Sequence, residues 1–292
     1  MMVAMTIIGA VFTPFNPPER LRSVARAADA AGLEQLWLWE DCFREGGISN
    51  AAAALAWTEN LQVGVGVLPV PLRNVAITAM EVASLTRMFP DRAVIGIGHG
   101  VISWMGQVGA RVPSPLTLLR EYATALRALL AGESLTVTGR YVSLDAVKLD
   151  WPPPVAPAIH AAATGPKTLE LVGAVADGTI LTGGTTPDQV RAAVMLINAG
   201  RAAAGRTDAH PVTVYLPVAI GPDGAAALAA QSEYFGEADL YGIAGDAAAI
   251  LDAIAEFTDA GATTVVLQPP LDEADPESFV RFVAEKIRPL VP

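Results

Sequence analysis

The chain has a single cysteine, Cys42, so it can form no internal disulfide and offers no thiolate cluster to a metal. Its three histidines, His99, His160 and His210, are scattered without metal-ligand spacing, and no metal is expected. Positive charge is also short. Nineteen Lys and Arg stand against thirty Asp and Glu, a net charge of -11. A phosphate backbone wants a basic stripe, so a nucleic-acid partner is excluded. No run of about 18 apolar residues is uninterrupted by Gly, Pro or a charge, which excludes a membrane span despite a mean hydropathy of +0.41. The apolar run in Met1 to Phe12 lacks a basic flank and reads on into a strand, so the protein is expected in the cytoplasm. Aromatics make up only 6% and charged residues 17% of the 292 positions, while 52% are hydrophobic. That composition excludes disorder and leaves Ala and Gly to fill a large core.

Short apolar runs alternate with Ala- or Leu-rich stretches of helical length. Strands are predicted at Thr6 to Phe12, Gln35 to Trp39, Leu61 to Leu68 and Ala93 to Ile97, then at Ile159 to Ala162, Gly178 to Leu181, Thr213 to Ile220 and Thr264 to Leu267. Helices are predicted at Glu19 to Ala31, Asn50 to Trp57, Val75 to Met88 and Pro115 to Ala131, then at Pro166 to Val175, Pro187 to Ala204, Asp246 to Ala260 and Pro276 to Arg288. Eight of each in alternation is the count of a single (β/α)8 TIM barrel over residues 1–292. The strands are near-continuous hydrophobic runs, as parallel strands covered on both faces should be. A doubly wound sheet would instead want a Gly-rich loop after the first strand, and Thr13 to Pro18 is not one. Helices ending at Ala30-Ala31-Gly32, Val175-Ala176 and Asp259-Ala260-Gly261 run into strands through small residues suited to a left-handed cap. An insertion at about 101–157 separates strands four and five, with a hairpin turn at Thr138 to Tyr141. The Ala-rich, then acidic, segment 222–245 reads as a lid.

A barrel builds its site at the C-terminal ends of its strands, and here those ends are mostly backbone and hydrophobe. Only one strand end carries carboxylates, too few for a metal-dependent barrel. None of the three lysines lies in a predicted strand, which excludes Schiff-base chemistry, and no nucleophile elbow is present. What remains suits a cofactor that brings its own reactivity. Glu40 and Asp41 follow the apolar LWLW strand; neighbouring residues face opposite ways, so at most one points into the mouth, and a solvated pair is the plainer alternative. Gly96 to Gly100 ends strand four with three glycines that let a flat ligand approach the backbone. Within it His99 can bond a cofactor, though alone it reads as a structural histidine. Thr164-Gly165-Pro166-Lys167 and Thr182-Gly183-Gly184 to Pro187 place small residues and a proline at helix starts, where free N–H groups bind anions or are simply capped.

LWLWEDCF (36–43), VGVGVLPVPLRN (63–74), VIGIGHGVISWMGQVGA (94–110) and AAATGPKTLELVGAVADGTIL (161–181) resemble the bacterial luciferase-like superfamily, in its branch of coenzyme F420-dependent oxidoreductases. The resemblance implies a TIM barrel with a deazaflavin or flavin across its mouth. It places a non-prolyl cis peptide behind the ring at Gly66-Val67 and Glu40 against the ring. Asp41 falls where sugar-phosphate dehydrogenases of the family have a catalytic histidine. His99 and Gly100 fall near the cofactor and Gly165, Pro166 and Lys167 at its phosphate, and from the residues themselves Gly98, Thr164, Thr182, Gly183 and Gly184 are expected to join them in binding the cofactor. Val101 stands where those dehydrogenases have a glutamate, which argues against sugar-phosphate oxidation. The region between strands seven and eight is short for the family.

The expectation is therefore hydride transfer between F420 and a small, apolar organic substrate. Glu40 orients the ring, Asp41 or His99 carries protons, and Phe12, Phe15, Trp39, Phe43, Trp104 and Met105 line the substrate side. FMN with a monooxygenase activity fed by a separate reductase is the alternative, and a cofactor-binding protein without turnover is a third. The resemblance implies a homodimer.

Overall fold

The computed structural model describes residues 5–236 and 240–292. The readings that touch residues 1–4 and 237–239 lie outside the described residues. Chain order begins β1 (Ile7–Phe12), α1 (Leu21–Ala31), β2 (Gln35–Leu38), α2 (Gly47–Trp57), β3 (Gln62–Pro69), α3 (Val75–Met88) and β4 (Ala93–Gly98). The inserted part follows as α4 (Ile102–Gln107), α5 (Pro115–Leu130), β5 (Leu135–Thr138) and β6 (Ser143–Val147). Then come β7 (Ile159–Ala162), α6 (Pro166–Val175), β8 (Gly178–Leu181), α7 (Pro187–Ala203), β9 (Val212–Ala219) and α8 (Gly224–Phe235). The chain closes with β10 (Ile243–Ala244), α9 (Ala247–Asp259), β11 (Thr264–Gln268) and α10 (Pro276–Phe282).

Parallel pairing runs β1-β2-β3-β4-β7-β8-β9-β11 and returns to β1, which closes an eight-stranded barrel. This is the TIM barrel that the alternation of apolar runs implies. β5 and β6 form an antiparallel hairpin outside it, around the predicted turn.

Strand alternation divides the core into two layers. Ile8, Ala10, Leu36, Leu38, Val63, Ile95, Ile97, Val214 and Leu216 belong to the large cluster shared with the helices. Val11, Trp37, Ile180, Tyr215 and Val266 fill the barrel lumen, with Trp39 and Val67 packed against them. Few strand positions carry bulk inward, so two large rings do the filling. Trp37 and Tyr215 meet edge-on at 5.9 Å, and the indole of Trp37 occupies the place a side chain at Gly64 would need. The Trp37 N–H donates to Gln35 Oε1 at 3.0 Å and Gln35 donates to Gln62 Oε1 at 2.9 Å, so the polar floor of the lumen is satisfied.

α1 shows how the shell forms. Leu21, Val24, Ala25 and Ala28 recur at helical spacing and are buried, and the helix stops at Gly32, whose φ of 78° is left-handed. Gly261 does the same after α9 at φ 107°. The third expected left-handed cap is absent, because Ala176 leaves α6 in an extended conformation that enters β8 directly. Within segment 222–245 the described residues form α8 and β10, the latter paired with β9. No helix among the described residues is long and apolar enough to cross a membrane.

Candidate active site

β2 turns Gln35 and Trp37 inward, and the same alternation carried past its end turns Trp39 and Asp41 inward and Glu40 outward. Glu40 is held there. Its carboxylate accepts from Arg73 Nη2 at 2.5 Å and Arg73 Nε at 3.2 Å, and from the Gly47 N–H that opens α2 at 2.7 Å. Arg73 also reaches Glu81 at 3.1 Å. Such a bidentate, partly buried pair is fixed in position and neutral as a unit. Glu40 is therefore engaged by protein groups rather than free for a ring.

Asp41 lacks such a partner. Burial pushes its carboxyl up to about 6, against the pull of the Arg44 guanidinium, and its charge acts in turn on Tyr215. Beside it lies Glu45, also pushed up, to about 7, by burial, with Oε2 accepting from Asn50 at 2.6 Å and Oε1 buried without a partner. Glu40, Asp41, Cys42, Arg44, Glu45 and Arg73 line one cleft of about 410 Å3 at the rim.

The wall next to it is made of backbone. The Gly66-Val67 peptide is cis, where the resemblance puts it, and Cys42-Phe43 is a second non-prolyl cis bond that the resemblance does not imply. The register of β3 on β4 shifts between Val65 and Leu68, which brings Val67 into the lumen cluster. A side chain at Gly98 would meet Val67 at 2.7 Å, so bare backbone and one valine face each other there. Tyr215 supports this wall from below. It is 4% exposed, burial drives its phenol far above the ordinary range, and its hydroxyl donates to the Gly66 carbonyl at 3.4 Å. His99 is half-buried, its Nδ1 is buried without a partner, and burial lowers its pKa.

The two proposed anion turns differ. Gly165 opens α6 with no side-chain cap, and the space a side chain would take at Gly165 is open. At α7, Thr186 and Gln189 form a reciprocal capping box that satisfies the helix end, while Gly184 is bridged to Tyr241. Thr186 thus caps α7 and Gly184 is tied to Tyr241, so the Thr164 to Lys167 turn is the less occupied of the two.

The aromatic residues scatter. Phe12 is 1% exposed in the outer core, facing the helices, so it does not line the mouth. Met105 is 2% exposed and packs against Gly100 and Pro69 at the ends of β4 and β3. Trp39 meets Tyr215 edge-on at 5.8 Å inside the rim. Phe15 stacks with Tyr234 of α8 at 5.2 Å beneath Arg44, Phe43 is exposed, and Trp104 is half-buried on α4. Arg73, Glu45, Tyr215 and Tyr234 belong to the site although nothing local marks them. Arg73 at least falls within the VGVGVLPVPLRN run, a lone base shortly after the end of β3.

A family model described as luciferase-like monooxygenase matches residues 3–270. The chain belongs to this family. Among its luciferase-like relatives, a 5,10-methylenetetrahydromethanopterin reductase of Methanolobus tindarius is 32% identical over 76% of this chain and 68% of that enzyme. An F420-dependent glucose-6-phosphate dehydrogenase of Kineococcus radiotolerans is 31% identical over 72% of this chain and 67% of that enzyme. Among solved structures, an F420-dependent secondary alcohol dehydrogenase in complex with an F420-acetone adduct superposes with a TM-score of 0.87. At 21% identity over 97% of this chain and 98% of that one, it is a likeness of fold.

Proposed function

We propose that this luciferase-like chain is an F420-dependent oxidoreductase acting on a small, apolar organic substrate. The observation that carries the reading is a bare wall of backbone and valine beside a charged cleft in which Asp41, unlike Glu40 and Glu45, has no side-chain hydrogen-bond partner among the described residues. Such a site has little chemistry of its own except a proton. The bare Gly66-Val67 and Gly98 wall, the orphan His99 Nδ1 and the uncapped α6 turn fit a flat ring with a phosphate tail. When bound, the deazaflavin supplies or accepts the hydride. The relatives described above as F420-dependent support this cofactor over FMN.

Within this reading, Gly165 and Lys167 hold the phosphate at the start of α6, and Val67 backs the ring. Tyr215 braces the Gly66 carbonyl. Arg73 keeps Glu40 off the ring while Glu40 secures α2. Asp41 holds a proton for a substrate oxygen, and Trp39, Phe15, Phe43 and Trp104 exclude water around it. Val101, exposed at the start of α4, brings no acid to the site, which supports an apolar substrate over a sugar phosphate. Ile77, Met80 and Met88 leave an exposed apolar stripe along α3, which supports a second copy of the chain on that face.

Anaerobic incubation with oxidised F420 and a secondary alcohol such as propan-2-ol, or reduced F420 and the matching ketone, tests the reading. Protein-dependent change in the F420 spectrum supports it. Binding of F420 without turnover on any alcohol or ketone supports a carrier instead, and reaction with FMN and a reductase alone supports the monooxygenase alternative.

A further inference from the structure

The opposite end of the barrel holds a second cavity, of about 510 Å3. Gln62, Ala93 and Ala158 place it at the N-terminal ends of β3, β4 and β7, away from the mouth. Pro90, Val94, Pro153, Pro154, Val155 and Pro157 give its wall an apolar part, beside Gln62, Thr86, Arg87, Asp91 and His160. His160 lines the cavity and is 7% exposed; its ring lies over Gly178 with Nδ1 buried there, which leaves Nε2 as the ring nitrogen available to the cavity. Burial drives the imidazole down to about 4, so at neutral pH it is an uncharged ring that can both donate and accept.

A neutral imidazole on the cavity wall is a hydrogen-bonding group that neither packing nor the nearby ion network uses. That network is closed on itself: Asp177 takes Arg127, Arg206 and the Ile159 N–H, and His210 bonds Thr179 at 2.8 Å. The other polar groups on the wall are taken as well. Gln62 donates to the Asp91 carbonyl, Thr86 to the Val82 carbonyl, and Arg87 to the Pro152 carbonyl while lying over the Trp151 ring. Only Asp91 and Arg87 bring charge, one of each sign, so neither an anion nor a cation is favoured.

We propose that this cavity is a binding site, separate from the barrel mouth, for a small neutral molecule with an apolar body and one hydroxyl group, whose hydroxyl pairs with His160. The volume lies within the range of ligand pockets, and an available polar group beside an apolar wall is part of their usual make-up. The inference stands independently of the cofactor assignment.

Phenol, benzene and benzoate, titrated against the full-length protein by calorimetry, test it. Phenol is expected to bind saturably at one site, at least tenfold more tightly than benzene and with no comparable binding of benzoate. His160→Phe, which keeps the ring over Gly178, should weaken phenol at least tenfold and leave benzene unchanged. Ala158→Trp, placed on an exposed rim position, should block phenol without disturbing the core. Absence of saturable phenol binding, equal binding of phenol and benzene, or phenol binding unaltered in Ala158→Trp would overturn the proposal.

Discussion

Arg73 grips Glu40 through two nitrogens, which leaves the next residue, Asp41, as the carboxyl of the pair without a side-chain hydrogen bond among the described residues. One carboxylate of the strand-end pair is structural and the other is free to titrate. The alternation of a single strand makes that division.

Replacing Asp41 by Asn should lower kcat by about 100-fold or more, as loss of a general acid or base does, with cofactor affinity unchanged. The pH profile carries the sharper signature. In the direction that delivers hydride to the substrate, Asp41 must be protonated, so kcat should fall as pH rises through about 6. In the reverse direction it should rise through the same value. Steady-state kinetics of Asp41→Asn in both directions should show neither limb.

The same carboxyls make stability depend on pH. Asp41 and Glu45 have folded values raised to about 6 and about 7, so between about pH 4 and 7 the folded chain binds more protons than the unfolded one. Their contribution therefore falls as pH rises through that window. The Asp41→Asn, Glu45→Gln variant should gain on the wild type between pH 4 and pH 8, by about 1 kcal/mol per site after allowing for solvent screening. Melting temperatures at the two pH values check this.

Arg73→Met should leave the Glu40 charge largely buried with only the Gly47 N–H, costing about 2 kcal/mol. Adding Glu40→Gln should recover part of that loss. A urea midpoint lower in the double variant than in the single one would contradict the pairing.

Gly64→Ala puts a methyl where the Trp37 indole lies, and should cost about 1–3 kcal/mol through overpacking of the lumen. Gly106→Ala, in open space on α4, should instead be neutral or gain up to about 1 kcal/mol. Denaturant midpoints of the two variants separate packing from backbone effects.

The barrel was legible because buried parallel strands are continuous apolar runs and the helices between them carry plain amphipathic faces. α8 was not, since its buried positions Gly224 and Gln231 are no hydrophobic stripe. Within the candidate site, the glycines of 94–100 and the uncapped turn at 164–167 are contiguous features that a sequence displays locally. Arg73 and Glu40 are 33 positions apart, and Tyr215 and Gly66 are 149 apart, so their contacts arise only from barrel closure. Phe12 fell on the wrong side because it sits one residue before the inward Thr13. The two anion turns looked alike in sequence; the Thr186 and Gln189 capping box is what tells them apart.

Equilibrium titration of the purified protein with F420, with FMN as competitor, tests the central claim most directly. The account predicts saturable F420 binding that FMN displaces poorly, that Asp41→Asn retains, and that a bulky side chain at Gly98 abolishes. Tight FMN binding with none of F420 would contradict it.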